Sequence, residues 1–303
     1  MPLVLNRRQW LAGVAGALGG VGAGATTTSV ATRAFLVEPD LVSITHHTVG
    51  GGSEVPDGTT LRVVQLSDLH LEQIGAHEER IAAAVRAQRP ALIVFTGDSV
   101  DHPTRLGVLS DFLAMLDAGT PKLAVVGNRE HDGGVDLREL EQVYARHGCE
   151  LLINDVAEMR VGGRRVLVTG LDDFIAGTPD PARALVGAEP TVNHLLLAHC
   201  PAQRDALRWE RVSPVATAGI VDGPTVDLAP YRPQWMLAGH THGGQIAPFG
   251  LTLFLPRGSG RYVSGWYRDT TPAMYVSRGL GTSVVRARHR SVPEIPVFDW
   301  LLQ

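Results

Sequence analysis

Leu61–His70 reads LRVVQLSDLH, an apolar run that breaks into a polar turn carrying an acid and an imidazole. A run this short, closed by polar residues, has the length of a buried strand and is too brief for a helix. The same construction recurs at Leu92–Thr96, Lys122–Val126, Arg165–Thr169, Asn193–Ala198, Gln234–Ala238 and Ala273–Ser277. Between the early runs lie stretches with helical spacing: Glu78–Gln88, Leu106–Leu116 and Asp136–His147. Strand and helix in alternation predict a parallel sheet. Gly250–Tyr267, with Tyr, Thr and short turns, predicts antiparallel pairing, and Gly50–Gly58 and Gly219–Pro233 read as loops. The expected fold is α/β, a sandwich of mixed sheets flanked by helices. No linker or internal repeat interrupts the pattern from about Phe35, so residues 35–303 are expected to form one domain with its core over about 61–296.

The chain has 303 residues, 44% of them apolar, which excludes collagen-like, coiled-coil and wholly disordered classes. A net charge of -4 argues against nucleic acid as the main partner, because phosphate backbones reward clustered Lys and Arg. Two cysteines, Cys149 and Cys200, are too few for a disulfide framework or a structural zinc knuckle.

Residues 1–34 differ from the rest. Arg7-Arg8 stands directly before a charge-free stretch, Trp10–Thr32, rich in Gly and Ala. A basic start, a modest apolar run and small residues beyond it are the parts of an export signal. Gly and Ala make poor material for a spanning helix, which wants about 20 strongly apolar residues. The pattern resembles a twin-arginine signal, with Asn6 and Trp10 departing from the usual motif. It implies the export machinery as a partner and a location in the periplasm, in the cell wall or on the outer face of the membrane. Both cleavage, with Ala23-Gly24-Ala25 as a site, and retention as a membrane anchor remain open.

In open α/β sheets the carboxyl ends of strands gather ligand-binding loops. Here those ends carry Ser67-Asp68-Leu69-His70, Thr96-Gly97-Asp98, Gly127-Asn128-Arg129-Glu130, Ala198-His199-Cys200 and Gly239-His240-Thr241-His242-Gly243-Gly244-Gln245. Singly each is weak, since Gly-Asp after a strand is mostly turn chemistry. Together they bring Asp, His and Asn to one rim. Asp68 and His70, like His240 and His242, are expected to share a side of an extended strand end.

The ordered set D-x-H, G-D, G-N-x-E, H and G-H-x-H resembles the calcineurin-like metallophosphoesterases. Gly239–Gln245 and Val276–Ser283 (VSRGLGTS) look like the exported bacterial phosphodiesterase branch, related to sugar-nucleotide pyrophosphatases of lipid A synthesis. The resemblance covers roughly Leu61 to Pro296. It implies a four-layer α/β/β/α sandwich of two mixed sheets with a dinuclear metal centre on its rim. It also implies hydrolysis of a phosphoester, cell-envelope or lipid-linked among the options, by metal-bound hydroxide. Two cations clamp phosphate oxygens and lower the pKa of a water. By the same resemblance Asp98 bridges them, Asp68, His70 and His242 complete one site, and Asn128, His199 and His240 complete the other. Imidazole, carboxylate and amide ligands suit Mn, Fe, Zn, Ni or Co.

One position departs from the family. Where most members have a His after Gly-Asn, this chain has Arg129. A guanidinium stays charged and cannot act as a general acid, but it holds phosphate oxygens with parallel donors. Arg129 and His131 are thus the candidate catalytic residues beside Asn128. The bland alternative pairs Arg129 with Glu130 or Asp132 and leaves His131 in solvent. Asp172-Asp173 reads as helix or turn capping, with lining of the substrate groove as the alternative, His46-His47 as solvated, and Cys200 as a small buried residue. A non-catalytic metal-binding scaffold and an exported pyrophosphatase or nucleotidase are the competing readings.

Overall fold

A computed structural model describes residues 32–51, 58–209, 211–212, 226–247, 252, 255–283 and 285–303. The strands are β1 (Ser43–Gly50), β2 (Thr60–Leu66), β3 (Leu92–Thr96), β4 (Lys122–Val125), β5 (Cys149–Leu151), β6 (Asp155–Val161) and β7 (Arg164–Gly170). They continue as β8 (His194–Leu197), β9 (Arg211–Val212), β10 (Val226–Asp227), β11 (Trp235–Ala238), β12 (Gly265–Tyr267), β13 (Ala273–Val276) and β14 (Glu294–Leu301). One six-stranded sheet has the order β1-β14-β2-β3-β4-β5 and the other β12-β13-β11-β8-β7-β6. Both are mixed. In the first, β2, β3, β4 and β5 run parallel while β14 opposes β2. In the second, β7, β8, β11 and β13 run parallel, with β6 and β12 antiparallel at the edges.

Side chains on a strand alternate between faces. Leu61 and Val63, Leu92 and Val94, and Leu123 and Val125 point into the interface between the sheets. They meet Val166 and Val168, Leu195 and Leu197, and Trp235 and Leu237 from the second sheet. The intervening residues, Val64, Leu66, Ile93 and Phe95, face outward under the helices Ala76–Ala87, Leu106–Ala114 and Leu137–Arg146. Both faces of these strands are buried, which is why the sequence shows unbroken apolar runs. On the far side, Leu196, Met236 and Met274 pack under a thinner cover that includes the short helix Pro181–Ala184. The result is helix, sheet, sheet and a second helical layer.

The seven strands and three helices expected from the sequence are present. The structure adds β14, which runs between β1 and β2 and sends Phe298 and Trp300 into the inter-sheet core. Pro296 argues against a strand there, but it lies beyond the β14–β2 ladder, which begins at Val297. The segment expected as loop over 219–233 contains β10, paired with β9, and a turn of 3-10 helix at Ala229–Tyr231; residues 219–225 lie outside the described residues. In the region expected to be antiparallel, β12 pairs antiparallel with β13, and residues 248–251 and 253–254 are outside the described set.

Residues 1–31 of the signal-like segment also lie outside the described residues. Its last two residues pack on the body: Arg33 Nε donates to Glu38 Oε1 at 2.7 Å, and the carbonyl of buried Ala34 accepts from Arg288 N at 2.8 Å. Among the described residues no helix is long and apolar enough to cross a membrane.

Candidate metal centre

The carboxyl ends of β2, β3 and β4 from one sheet and of β8 and β11 from the other meet at one rim. Beneath it, buried Gln65 ties the sheets, donating at 2.9 Å to both Thr96 Oγ1 and the carbonyl of Ala238. Asp68, His70, Asp98, His199, His240 and His242 are all buried. Their donor atoms form overlapping clusters within 4.8 Å: Asp68 with His70 and His242, Asp68 with Asp98 and His199, and His199 with Cys200 and His240. Asp98 Oδ2 lies 3.3 Å from His199 Nε2 and 3.8 Å from His70 Nε2, so one carboxylate oxygen reaches toward imidazoles of two clusters.

The backbone there is not extended, contrary to the expectation for the paired ligands. Asp68, His70, Asp98, His240 and His242 have φ of 52, 45, 54, 72 and 50°. Left-handed backbone costs about 1 kcal/mol or more per non-glycine residue and persists where the surroundings over-determine it. Here the constraint is visible. Asp68 accepts from His240 N through both oxygens, at 2.9 and 3.0 Å, and Asp98 Oδ1 accepts from Arg129 N at 2.8 Å. The turn also separates the last pair: His242 Nε2 sits 3.0 Å from His70 Nε2, whereas His240 Nδ1 sits 3.1 Å from His199 Nε2. Gly239 is obligatory, because a Cβ there would lie 1.8 Å from Ser67 Oγ.

The donor set suits a cation. His70 Nδ1 is held by Asp101 at 2.6 Å, His199 Nδ1 by the Thr96 carbonyl at 2.8 Å, and His240 Nε2 by the Arg257 carbonyl at 2.7 Å. Each ring then turns its other nitrogen into the cluster, the arrangement that fixes the tautomer of a metal-binding imidazole. His242 differs: its Nδ1 faces Arg288 Nη2 at 3.3 Å. Burial, and then the neighbouring His199, pull the pKa of His240 down to about 4, which keeps the ring neutral. Asn128 Oδ1 is buried and has no hydrogen-bond partner. A buried acceptor without a donor is costly unless it meets an ion or water. Cys200 donates to Asp173 Oδ2 at 3.2 Å, and burial followed by Asp173 raises its pKa, so it stays a thiol.

Arg129 pairs with neither Glu130 nor Asp132. Its Nη2 donates to Ser283 Oγ at 2.8 Å. Glu130 is fully occupied, its two oxygens accepting from the amides of Asp98, Ser99, Val100 and Gly127. That carboxylate staples the β3 turn to the β4 turn, a role whose signal in the sequence is the Glu of G-N-x-E. His131 is not solvated: Nε2 bonds Asp172 Oδ1 at 2.8 Å. Asp172 and Asp173 otherwise cap their own turn, accepting from Thr178 N, Ile175 N and Ala176 N at 2.8 Å each. His46 is exposed, but His47 packs among Tyr275, Phe298 and Trp266. Arg261 and Arg278 are taken up by Asp269 and Glu294. Buried Arg288 had no signal in the sequence; it binds the carbonyls of Arg278, Gly281 and Ser291.

Over residues 61–244 the chain matches the family described as calcineurin-like phosphoesterase. It belongs to that family. As a calcineurin-like phosphoesterase it is a metal-dependent hydrolase of phosphoesters, and the family is dinuclear. It is 31% identical over 303 residues to the uncharacterized metallophosphoesterase YkuE of Bacillus subtilis, covering 97% of each chain. It is 28% identical over 245 residues to the phosphodiesterase YaeI of Escherichia coli, covering 78% of this chain and 81% of that one. Among solved structures it is similar to a 5'-nucleotidase precursor from Thermus thermophilus, with 16% identity, a TM-score of 0.43, and coverage of 80% of this chain and 54% of that one. A likeness that distant carries no inference about substrate.

Proposed function

We propose that this phosphoesterase hydrolyses phosphodiesters or phosphomonoesters at a dinuclear centre, outside the cytoplasm. Asp68, His70 and His242 would hold one divalent ion, Asn128, His199 and His240 the other, with Asp98 between them. When bound, the ions supply charge neutralisation at phosphate and a water of lowered pKa. The observation that carries the reading is the position of Asp98 Oδ2 between His70 and His199. The orphaned Asn128 Oδ1 supports it.

The chain's own side chains complete the chemistry. Arg129, whose amide is anchored on Asp98 and whose guanidinium is steadied by Ser283, contacts the phosphate oxygens. It carries no proton to the leaving group, because a guanidinium does not titrate in the working range. His131 is the candidate for that task. Its hydrogen bond to Asp172 raises its pKa, which favours the imidazolium that the task requires. Export rests on Arg7-Arg8 and the uncharged stretch that follows them.

The test is metal content with turnover. Purified protein should carry two divalent ions per chain, and Asp98→Asn should lower kcat on bis(p-nitrophenyl) phosphate by at least about 100-fold. Loss of a mere supporting partner already costs about 10- to 100-fold. Full activity in that variant would overturn the assignment.

A further inference from the structure

Val276–Ser283 (VSRGLGTS) runs along the candidate centre yet supplies none of its proposed ligands. Its course is fixed by the turns that do. Leu280 N and Gly281 N donate to the carbonyls of Ser67 and Asp68, at 3.0 and 2.7 Å. The fit is close, because a Cβ on Gly281 would lie 2.2 Å from the Leu69 carbonyl oxygen. Further along, the side-chain amide of buried Gln245 brackets Ser283, accepting from its N and donating to its carbonyl, each at 3.1 Å. Gln245 closes the turn that carries His240 and His242. Ser283 Oγ accepts from Arg129 Nη2 at 2.8 Å. One hydroxyl is thereby tied to the segments that follow β2, β4 and β11.

A hydroxyl has one proton to donate and two lone pairs to accept with, whereas a guanidinium only donates. The bond from Arg129 therefore occupies a lone pair and leaves the Ser283 proton unused. Among the described residues no acceptor takes that proton. The side chain is only half-buried, so a ligand can reach it. Accepting from a cation polarises an O–H and makes it the better donor. Arg129 N is itself anchored on Asp98 Oδ1 at 2.8 Å, which keeps the guanidinium and the hydroxyl as neighbouring donors beside the ligand set. Donors of this kind form their strongest hydrogen bonds with anionic oxygens.

We infer that Ser283 is a further substrate-binding residue: its hydroxyl donates to the phosphoryl oxygen that Arg129 meets, and Gln245 is the positioning residue that holds it there. This rests on the phosphoesterase reading and adds a second donor to its phosphate site. It also gives the end of VSRGLGTS and the Gln of the histidine turn a task in binding. A hydroxyl that merely steadies Arg129 is the rival account, and the two differ in what happens once the guanidinium is gone.

The experiment measures binding of inorganic phosphate to the metal-loaded full chain by isothermal titration calorimetry. Ser283→Ala, which leaves the backbone bonds to Gln245 in place, should weaken phosphate about tenfold, as loss of one hydrogen bond to a charged group does. Its metal content should not change, and Ser283→Thr, which keeps the hydroxyl, should bind like the wild type. In an Arg129→Met background Ser283→Ala should weaken phosphate again; no further loss there means that the hydroxyl only steadies Arg129, and the inference falls. Undiminished binding in Ser283→Ala alone, or no binding by the wild type, also overturns it. Gln245→Met should weaken phosphate in the wild type and not in the Ser283→Ala background. An equal loss in both would remove Gln245 from the assignment. Turnover of bis(p-nitrophenyl) phosphate is followed separately: its absence in the wild type removes the hydrolase reading, while phosphate affinity still decides Ser283.

Discussion

At the residue scale, the site is built by pulling backbone into conformations that side chains rarely choose. Five of the proposed ligands are left-handed, held there by carboxylates that accept neighbouring amides. The identities of these residues were legible in the sequence, because turn-prone glycines and donor side chains follow each apolar run. Their conformation was not, since it depends on Asp68 and His240, 172 residues apart, bonding each other. His131 shows the same limit. Its partner Asp172 is 41 residues away, and the hydrogen bond raises the imidazole pKa above its ordinary 6.5. Burial pushes Asp172 up, but the bonds from His131 and from the Thr178 and Asp173 amides outweigh it and leave its pKa low. The raised imidazole contributes stability below pH 6.5 that is lost as pH climbs through its folded pKa. The lowered carboxyl contributes above 3.8 and loses it as pH falls through its folded pKa. The pair is therefore fully effective in mildly acid solution and weakens on the alkaline side. In Asp172→Asn the His131 midpoint, followed by proton NMR, should drop toward 6.5; an unmoved midpoint would show that Asp172 does not set it.

At the scale of elements, strands buried on both faces announced themselves and edge or composite strands did not. β7, β8 and β11 are continuous apolar runs because each touches two cores. β1 alternates exposed and partly buried positions, and its SITHHTVG sequence has no apolar run to see. β14 is the instructive case. Its EIPVFDWL mixes two acids and a proline with large apolar residues, yet Trp300 and Phe298 are fully buried. Asp299 is tolerated because it faces Arg62 on β2, at 2.8 Å. Trp300 packs edge-on against Trp235 of the opposite sheet, ring centres 5.2 Å apart, and donates to Gln234 Oε1 at 2.7 Å. Trp300→Ala should cost about 3–5 kcal/mol, as large aromatic truncations in cores do. Urea denaturation measures it, and a loss under ~1 kcal/mol would mean that β14 does not hold the two sheets together.

At the scale of the molecule, two sheets packed face to face share a rim that neither could furnish alone. Asp68, His70, Asp98 and Asn128 leave one sheet, and His199, His240 and His242 the other. The proposed location of the whole protein is a separate matter, carried by Arg7-Arg8 ahead of an uncharged segment. With both arginines replaced by lysine, the full chain should remain in the cytoplasm of a bacterium that has the twin-arginine pathway. Undiminished export, read by cell fractionation, would remove that proposal. What could be read along the chain was whatever is local: buried strands as apolar runs, helices by their spacing, donor residues at strand ends, and the family those residues signify. What required the folded molecule was everything set by contacts between distant segments. Those contacts turn Arg129 to Ser283 and His131 to Asp172, and staple two turns through Glu130. Hydrogen bonds and packing act across space, and a linear pattern records only which residues are available to make them.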